Sequence, residues 1–257
     1  MKNPINSIIL QLIKNIFGRV YALYALLLFV ISMLVVVIPV RMNMGIKDDR
    51  KRTAAILTIL RRWMAFYLPA IFCPVRKKGL EYFKKDQNYV VVFNHNSLMD
   101  VPVSSPSVPG ANKTLAKAEI AKTPVFGMIY KCGSVLVDRS SMESRRRSYE
   151  DMKKVLEQGM HLSLYPEGTR NKTAEPLKPF YDGAFNIAID TQKPVIPALI
   201  FHTREILPPG KAFYAWPHAI RLHFLEPVPT TGMTLKDAPA LKEKVFNRMK
   251  EYYMTHK

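Results

Sequence analysis

The sequence predicts an α/β fold with a mainly parallel central sheet flanked by helices, and an N-terminal helical element embedded in a membrane. Two patterns lead to this prediction. In the later part of the chain, short runs of β-branched and aromatic residues alternate with helical patterns, which is typical of a parallel sheet buried on both faces. Near the start, residues 20–40 form an uncharged run long enough to cross a bilayer. A length of 257 residues, 48% of them hydrophobic, suits one large domain with an appendage and excludes a largely disordered chain.

The uncharged run is the first element. Fourteen of its 21 residues are Leu, Ile, Val or Phe, and as a helix it would be roughly 31 Å long, about one hydrocarbon thickness. A buried core helix is less favoured because the flanks are basic, with Lys2, Lys14 and Arg19 before the run. A cleaved signal peptide is disfavoured because residues 39–42 offer no small-residue cleavage site. Since both flanks are basic, the charges point the C-terminal side toward the cytoplasm only weakly.

A second apolar stretch, residues 54–75, contains Arg61 and Arg62. Each charge would cost about 2.5–3.5 kcal/mol in the middle of a bilayer, so we expect an interfacial helix with both arginines at the headgroups. Between Arg41 and Lys85 the chain has 12 basic residues and three acidic ones. Beside a hydrophobic anchor, this cluster favours an anionic lipid surface over a merely solvated face.

Five strands and three helices are predicted after the anchor. The strands are the apolar runs at residues 89–93, 134–137, 162–165, 195–200 and 220–225. The first helix begins at a capping box formed by Ser140 and Glu143 and ends before Gly159. The other two are predicted at residues 182–191 and at residues 234–253.

The net charge of +18 draws the protein to polyanions. Three partners fit this charge: nucleic acid, an anionic membrane, and an acidic substrate or carrier. Nucleic acid is the weakest of these, because the basic residues cluster at the anchor and the sequence carries no nucleic-acid-binding motif. Cys73 and Cys132 are too few for a disulfide framework, and we read both as reduced thiols of a cytoplasm-facing protein. No Cys and His spacing resembles a zinc site.

Polar motifs follow three of the predicted strands, at the sheet edge where α/β proteins place their sites. In the first motif, NHNSLMD at residues 94–100, His95 can act as a general base near neutral pH and Asp100 can fix its tautomer. Taken alone, such a pair is more often a structural hydrogen bond.

The other two motifs carry groups that suit a phosphate. YPEGTR, at residues 165–170, combines Gly168, which lets the backbone approach a ligand, with the donors Thr169 and Arg170. Arg139 follows another strand and precedes a helix, where a guanidinium and a helix N-terminus can share an anion. In isolation, a polar turn held by a Glu–Arg pair explains YPEGTR about as well as a ligand site does. A solvated Asp138–Arg139 pair explains the Arg139 segment better than an anion site does.

Taken together, the motifs resemble a known family. The blocks, in order, are NHNSLMD at 94–100, GSVLVDR at 133–139, PEGTR at 166–170 and VIP at 195–197. They resemble the glycerolipid acyltransferases, and more narrowly the PlsC-like 1-acyl-glycerol-3-phosphate acyltransferases, whose HX4D motif the first block carries. Further matches are Lys117, residues 124–127 and residues 180–185. The resemblance covers roughly residues 75–230 and implies the glycerolipid acyltransferase fold, with a membrane-embedded helical element before the catalytic domain. The expected division is an anchor with interfacial helices at residues 1–75 and an acyltransferase domain at residues 76–257.

The resemblance also implies a reaction. His95 would remove the proton from an acceptor hydroxyl, Asp100 would orient His95, and the hydroxyl oxygen would attack an acyl thioester. The co-substrate would be acyl-CoA or acyl-acyl carrier protein, with no other cofactor, no metal and no acyl-enzyme. The acceptor would be 1-acyl-glycerol-3-phosphate and the product phosphatidic acid for phospholipid synthesis.

The implied partners are the lipid bilayer, the lysophospholipid acceptor and the acyl donor, and not nucleic acid. The implied location is the inner or cytoplasmic membrane, with the active site facing the cytoplasm. The residues expected to bind substrate are Asn94, Ser97, Lys117, Arg139, Glu167, Gly168, Thr169 and Arg170, and residues 195–197 are expected to shape the pocket.

Two positions depart from the family pattern. Residues 180–183 read Phe-Tyr-Asp-Gly where the family often has Phe-Lys-x-Gly, so one cation near the phosphate is missing. Leu136 stands where an aromatic residue is common. The missing cation leaves other acceptors open, namely a lyso-ornithine or lyso-glycine lipid or another lysophospholipid. A third hypothesis, a basic membrane-tethered binding module without catalysis, gives no reason for four blocks in family order.

Overall fold

The computed structural model describes residues 4–257, and side chains from residue 6 onward. Lys2, and with it the very start of the predicted anchor, lies outside the described residues. The helices are α1 Pro4–Asn43, α2 Asp49–Ala70, α3 Asp100–Ser107, α4 Phe126–Cys132, α5 Met142–Glu157, α6 Gly183–Asp190, α7 Thr203–Ile206 and α8 Ala238–His256. The strands are β1 Val75–Lys78, β2 Val90–Phe93, β3 Asn112–Lys117, β4 Ser134–Val137, β5 His161–Leu164, β6 Val195–Phe201 and β7 Ile220–Phe224.

The seven strands form one sheet in the order β1-β7-β6-β2-β5-β3-β4. Every neighbouring pair is parallel except β6 and β7. The predicted fold class, α/β with a mainly parallel sheet, is confirmed. Because β2, β3, β4, β5 and β6 run in the same direction, the segments that follow them meet at one edge of the sheet, here called the carboxyl edge.

Helices cover both faces of this sheet. Side chains alternate along β2, so that Val90 and Val92 pack with α5, α6 and α8, whereas Val91 and Phe93 pack with α1, α2, α3 and α4. All four β2 side chains are fully buried. The two layers therefore differ in kind: one contains the long apolar helix α1, and the other does not.

All five predicted strands are present, and two more were missed. β1 has the sequence VRKK and lies at the sheet edge, with its last three side chains exposed, so it lacks an apolar pattern. In β3 the residues that point inward include Asn112 and Thr114. Asn112 is accommodated because its side chain hydrogen-bonds to Ser105, through the backbone oxygen at 3.0 Å and the hydroxyl at 2.9 Å.

The predicted cap of α5 was wrong by one residue. Ser141 is the N-cap, and its hydroxyl accepts a hydrogen bond from the Ser144 amide at 3.1 Å. Ser140 instead donates from its amide and hydroxyl to Asp138, at 2.9 Å and 2.6 Å. The helix ends as predicted before Gly159, which has a φ of +75°.

The predicted uncharged run forms the C-terminal half of α1, a 40-residue helix that is roughly 60 Å long. Its described part has the length and apolar composition of a bilayer-crossing helix. Many of its aliphatic side chains are exposed, Ile31, Val35 and Ile38 among them.

α2 packs on α1 and also on the sheet layer, so the division of the chain at residue 75 stays a prediction. Trp63 and Tyr67 lie between the two helices: the Trp63 indole donates to the Ser32 hydroxyl at 2.9 Å, and the Tyr67 hydroxyl donates to the Ala25 oxygen at 3.1 Å. The Arg61 guanidinium donates to the Val108 oxygen at 2.8 Å and to the Gly110 oxygen, and its expected place at the headgroups stays a prediction. Arg62 is exposed.

Candidate active site

The loop after β2 folds around the carboxylate of Asp100. One oxygen, Oδ2, lies 2.9 Å from His95 Nδ1 and accepts the amides of Asn96 at 2.6 Å and Ser97 at 2.7 Å. The other, Oδ1, accepts the Thr203 hydroxyl at 2.5 Å. Asp100 is completely buried in the first turn of α3, where the helix dipole also favours an anion. Four donors thus compensate for the burial of this carboxylate.

One ring nitrogen of His95, Nδ1, is hydrogen-bonded to Asp100, which fixes the orientation of the imidazole. An ionised carboxylate can only accept, so Nδ1 of His95 carries the proton and Nε2, on the opposite side of the ring, keeps its lone pair. The Tyr165 ring packs against the imidazole at a centroid distance of 4.4 Å, and its hydroxyl hydrogen-bonds to Ser104 at 2.6 Å. Burial raises the pKa of Tyr165 well above its usual value, so the phenol stays neutral. This arrangement can deliver a general base at Nε2.

Glu167 is buried and holds the His95 loop by hydrogen bonds instead of facing solvent. Its Oε1 accepts the His95 amide at 2.7 Å and its Oε2 accepts the Lys178 amide at 2.9 Å. Burial raises the pKa of Glu167 to about 6, although these two hydrogen bonds and the nearby His95 lower it. The Asn171 amide also donates to the His95 oxygen at 2.6 Å. This differs from the expectation that Glu167 contacts the acceptor, because both of its oxygens are occupied by backbone amides.

Two other predicted substrate-binding residues are likewise buried in the framework. Asn94 exchanges two hydrogen bonds with the Ile200 backbone, at 2.7 Å and 2.9 Å, which ties the end of β2 to β6. The Ser97 hydroxyl accepts the Met99 amide at 3.2 Å. Residues 195–197 lie inside β6 and are not among the residues that line the main cavity, since the carboxyl edge begins four residues further on.

Arg139, Gly168 and Thr169 come together at the carboxyl edge. The Arg139 guanidinium donates to the Gly168 oxygen. Gly168 has a φ of +70°, and a Cβ there would lie 2.7 Å from the Tyr181 ring, so the position requires glycine. The Thr169 hydroxyl accepts from Lys178 Nζ at 2.7 Å. Lys178 was missed by the sequence analysis, yet it supplies a cation beside the motif whose usual lysine is absent.

Lys117, the last residue of β3, lies at the same edge, where it is paired with Glu119. Its ammonium lies 3.8 Å from the Glu119 carboxylate, and its side chain is 55% exposed. Thr203 was also missed, although its position two residues after β6, at the same edge as His95, is a signal that could have found it. Asp182 is the third residue of Phe-Tyr-Asp-Gly, the motif at residues 180–183 that differs from the family pattern. It is paired with Lys242 at 2.6 Å.

A cavity of about 620 Å³ opens beside the His95 loop. One wall is residues 96–99, and another is the apolar side of α1 and α2 with Tyr21, Ala25 and Tyr67. Segment 206–215 forms a third wall and is attached to α1, since the Ala215 amide donates to the Gly18 oxygen at 3.1 Å. Cations from Arg170, Lys172 and Lys211 also line it. The cavity is therefore largely apolar and carries three cations on its lining, a pattern that suits an anionic amphiphile.

Known proteins that this chain is similar to are acyltransferases. The family model "Acyltransferase" matches residues 74–201. The chain is 31% identical to 1-acyl-sn-glycerol-3-phosphate acyltransferase alpha of Mus musculus over 204 residues, which is 78% of this chain and 70% of that protein. It is 29% identical to 1-acyl-sn-glycerol-3-phosphate acyltransferase of Helicobacter pylori over 168 residues, 65% of this chain and 69% of that protein.

The fold is shared with a crystal structure of PlsC, the 1-acyl-sn-glycerophosphate acyltransferase from Thermotoga maritima. The TM-score is 0.78 at 24% identity, and the match covers 93% of this chain and 96% of that one. The sequence resemblance to the family is thus confirmed by relatives that align over most of both chains. The chain belongs to the PlsC-like family of 1-acyl-sn-glycerol-3-phosphate acyltransferases.

Proposed function

We propose that the protein is a membrane-bound acyltransferase that transfers a fatty acyl group from a thioester to the free hydroxyl of 1-acyl-glycerol-3-phosphate, giving phosphatidic acid. The observation that carries the proposal is the His95–Asp100 pair beside a largely apolar cavity that carries three cations. The names of the relatives support the same activity. The proposed location is the cytoplasmic membrane, with α1 as the anchor and the site on the cytoplasmic side.

The chemistry follows from the position of one proton. Nε2 of His95 takes the proton of the acceptor hydroxyl while that oxygen attacks the thioester carbonyl. Asp100 holds the ring and stabilises the imidazolium that forms. When the tetrahedral intermediate collapses, the C–S bond breaks and Nε2 returns the proton to the departing sulfur. Donor and acceptor thus give ester and thiol with His95 restored, and no acyl-enzyme is formed.

The cations around the cavity support an acceptor that carries a phosphate. Arg170 and Lys172 line the cavity, and Arg139 and Lys178 surround the Gly168–Thr169 turn. The lyso-aminolipid alternative rested on a missing lysine at residues 180–183, and Lys178 offers a cation in its place. We therefore rank the lysophosphatidic acid acceptor first, and the lyso-aminolipid or another lysophospholipid second.

Acyl transfer in liposomes tests this proposal. Purified protein receives a radiolabelled acyl thioester with lysophosphatidic acid in one reaction and a lyso-ornithine lipid in the other. We expect label in phosphatidic acid with wild type and its loss, by roughly 10³-fold or more, in His95→Ala. His218→Ala, a change at a histidine outside the site, should retain activity. Label only in the aminolipid would reject the acceptor, and full activity of His95→Ala would reject the mechanism.

A further inference from the structure

Three consecutive arginines on α5 have no role in the site described above. Arg145, Arg146 and Arg147 are all exposed, whereas the side chains that anchor α5 are those of Ser148, Met152, Val155 and Leu156. In the part of the chain that the structure describes, none of the three arginine side chains makes an ion pair or a hydrogen bond. We call these three residues the arginine face.

Helix stability does not explain the arginine face. The residues lie in the N-terminal half of α5, whereas the helix dipole stabilises cations only in the last turn of a helix. Elsewhere on the same helix, cations are neutralised: Lys153 pairs with Asp190 at 2.7 Å and Lys154 with Asp151 at 3.3 Å. The arginine face is therefore a cluster of cations without an ion-pair partner among the described residues, although Glu143, Glu150 and Asp151 lie on the same helix.

The arginine face continues a basic rim that starts at the candidate active site. α5 begins directly after β4, at the carboxyl edge that also carries His95. Arg139, in the connection from β4 to α5, donates to the Gly168 oxygen. Lys117 ends β3 at the same edge. Hydrogen bonds from Ser140 lower the pKa of Asp138 in this connection, and Lys117 and Lys122 lower it further.

The location of α5 points to a partner in the aqueous phase. α5 packs on β3, β4, β5 and α6, in the layer opposite to α1 and α2. None of the three arginines lines the main cavity. With the long apolar helix in the bilayer, the arginine face is turned to the other side of the sheet. An anionic membrane surface is the less fitting occupant for that reason.

The shape of the arginine face distinguishes a protein from a small polyphosphate. Consecutive helical residues are turned by about 100° from one another, so the three guanidinium groups diverge over about 200° of the helix surface. A phosphate group is bound by donors that converge on it. Diverging cations fit carboxylates spread over the surface of an acidic protein instead.

We propose that the arginine face docks an acidic acyl carrier protein, which presents its acyl thioester at the carboxyl edge while remaining in water. This inference rests on the proposed acyl transfer and names the donor's carrier. The carrier would approach from the α5 layer, and the lipid acceptor from the α1 layer. The two substrates would then reach His95 from opposite faces of the sheet.

The test compares Arg145→Glu/Arg146→Glu with Lys244→Glu/Lys250→Glu. The second variant has the same change of net charge, in exposed residues of α8 in the same layer. Acyl transfer to lysophosphatidic acid is measured in liposomes with acyl-acyl carrier protein and, separately, with acyl-CoA. We expect the arginine variant to lose about 10-fold or more in kcat/KM with the carrier protein, through KM, and less than about 3-fold with acyl-CoA. The lysine variant should stay within about 3-fold with both donors.

Two binding measurements complete the experiment. Anisotropy of a labelled carrier protein without an acyl group should report salt-sensitive binding to wild type and its loss in the arginine variant. Sedimentation with phosphatidylglycerol vesicles should be equal for the two variants, and a selective loss for the arginine variant would assign the face to lipid and overturn the proposal. Equal losses with both donors, or transfer by wild type from acyl-CoA only, would also overturn it while leaving acyl transfer intact. Absence of transfer from either donor would reject the proposed function, whereas carrier binding would still report on the arginine face.

Discussion

At the scale of single residues, the framework around the acid–base pair uses side chains that look like substrate ligands in the sequence. Asn94, Ser97 and Glu167 are polar and follow strand ends, yet each is buried and bonded to backbone groups. A sequence shows that polar groups gather at one edge of the sheet. It does not show which of them form hydrogen bonds to the backbone of the loops and are therefore not free to bind substrate. The partner of Asp100 from another strand, Thr203, is 103 residues away in the chain, so no local pattern connects them.

Thr203 is a positioning residue, because it acts on the substrate only through Asp100 and His95. Removing its hydroxyl in Thr203→Val leaves Oδ1 of a buried carboxylate without its donor, so His95 is held less well. We expect kcat to fall about 10-fold with KM for lysophosphatidic acid unchanged, and Thr203→Ser to restore most of the rate. Steady-state kinetics of the three proteins check this, and a serine variant as slow as the valine variant would count against it.

Glu167 should make stability depend on pH in a specific direction. Burial raises its pKa from 4.5 to about 6, so between these values the folded state binds the proton more tightly than the unfolded state. Its stabilising contribution is then complete below pH 4.5 and decreases as the pH rises through 6. The decrease amounts to about 2 kcal/mol for a shift of this size.

The comparison with Glu167→Gln isolates this contribution. The free energy of unfolding of wild type minus that of Glu167→Gln should fall between pH 4 and pH 7, as measured by denaturant titration in detergent. A difference that is constant over this range, or that rises, would contradict the raised pKa.

At the scale of elements, apolar patterns located five strands of the sheet and failed at two strands, β1 and β3, that lack such a pattern. β2 and β6 are buried on both faces and appear in the sequence as continuous apolar runs. β1 is an edge strand whose cations remain in solvent, and β3 carries inward polar residues, of which Asn112 is paired with Ser105 and Ser163. Both were invisible because hydrophobic patterns report burial and not strand pairing.

Because α1 lines the cavity, it gives a prediction about the length of acyl chain that the enzyme accepts. Ala25 lines the cavity on α1, so Ala25→Phe should fill its apolar part and exclude the end of a long acyl chain. We expect kcat/KM for the longest chains to drop about 10-fold, equivalent to roughly 1.4 kcal/mol, with shorter chains little affected. Ile31→Phe, at an exposed position of the same helix, is the matched control. An unchanged chain-length profile for Ala25→Phe would mean that acyl chains do not occupy this wall.

At the scale of the whole molecule, α2 connects the long apolar helix α1 to the sheet layer. The side chains of Trp63, Met64 and Tyr67 on α2 are buried, and the Trp63 and Tyr67 side chains hydrogen-bond to α1. α2 in turn contacts α3 and β3. Composition marks the apolar run, but it does not reveal that the next helix belongs to both parts.

Deleting residues 1–43 should therefore not release a soluble, active enzyme. The deletion exposes the α1-facing side of α2 and removes one wall of the cavity, so we expect aggregation and loss of acyl transfer. Size-exclusion chromatography and the liposome assay measure the two effects. A monomeric, active product would show that α1 is dispensable for folding and for the site.

The shared wall between α1 and the cavity has an energetic consequence for turnover. A lipid that had to enter through water would lose about 0.8 kcal/mol for each exposed CH₂ group, or roughly 13 kcal/mol for a 16-carbon chain. With α1 in the bilayer, the acyl chain of the acceptor can instead move from the bilayer interior into the cavity without contacting water. Catalytic rate then becomes independent of the aqueous solubility of the acceptor, and two-dimensional diffusion within the leaflet replaces extraction as the route of supply.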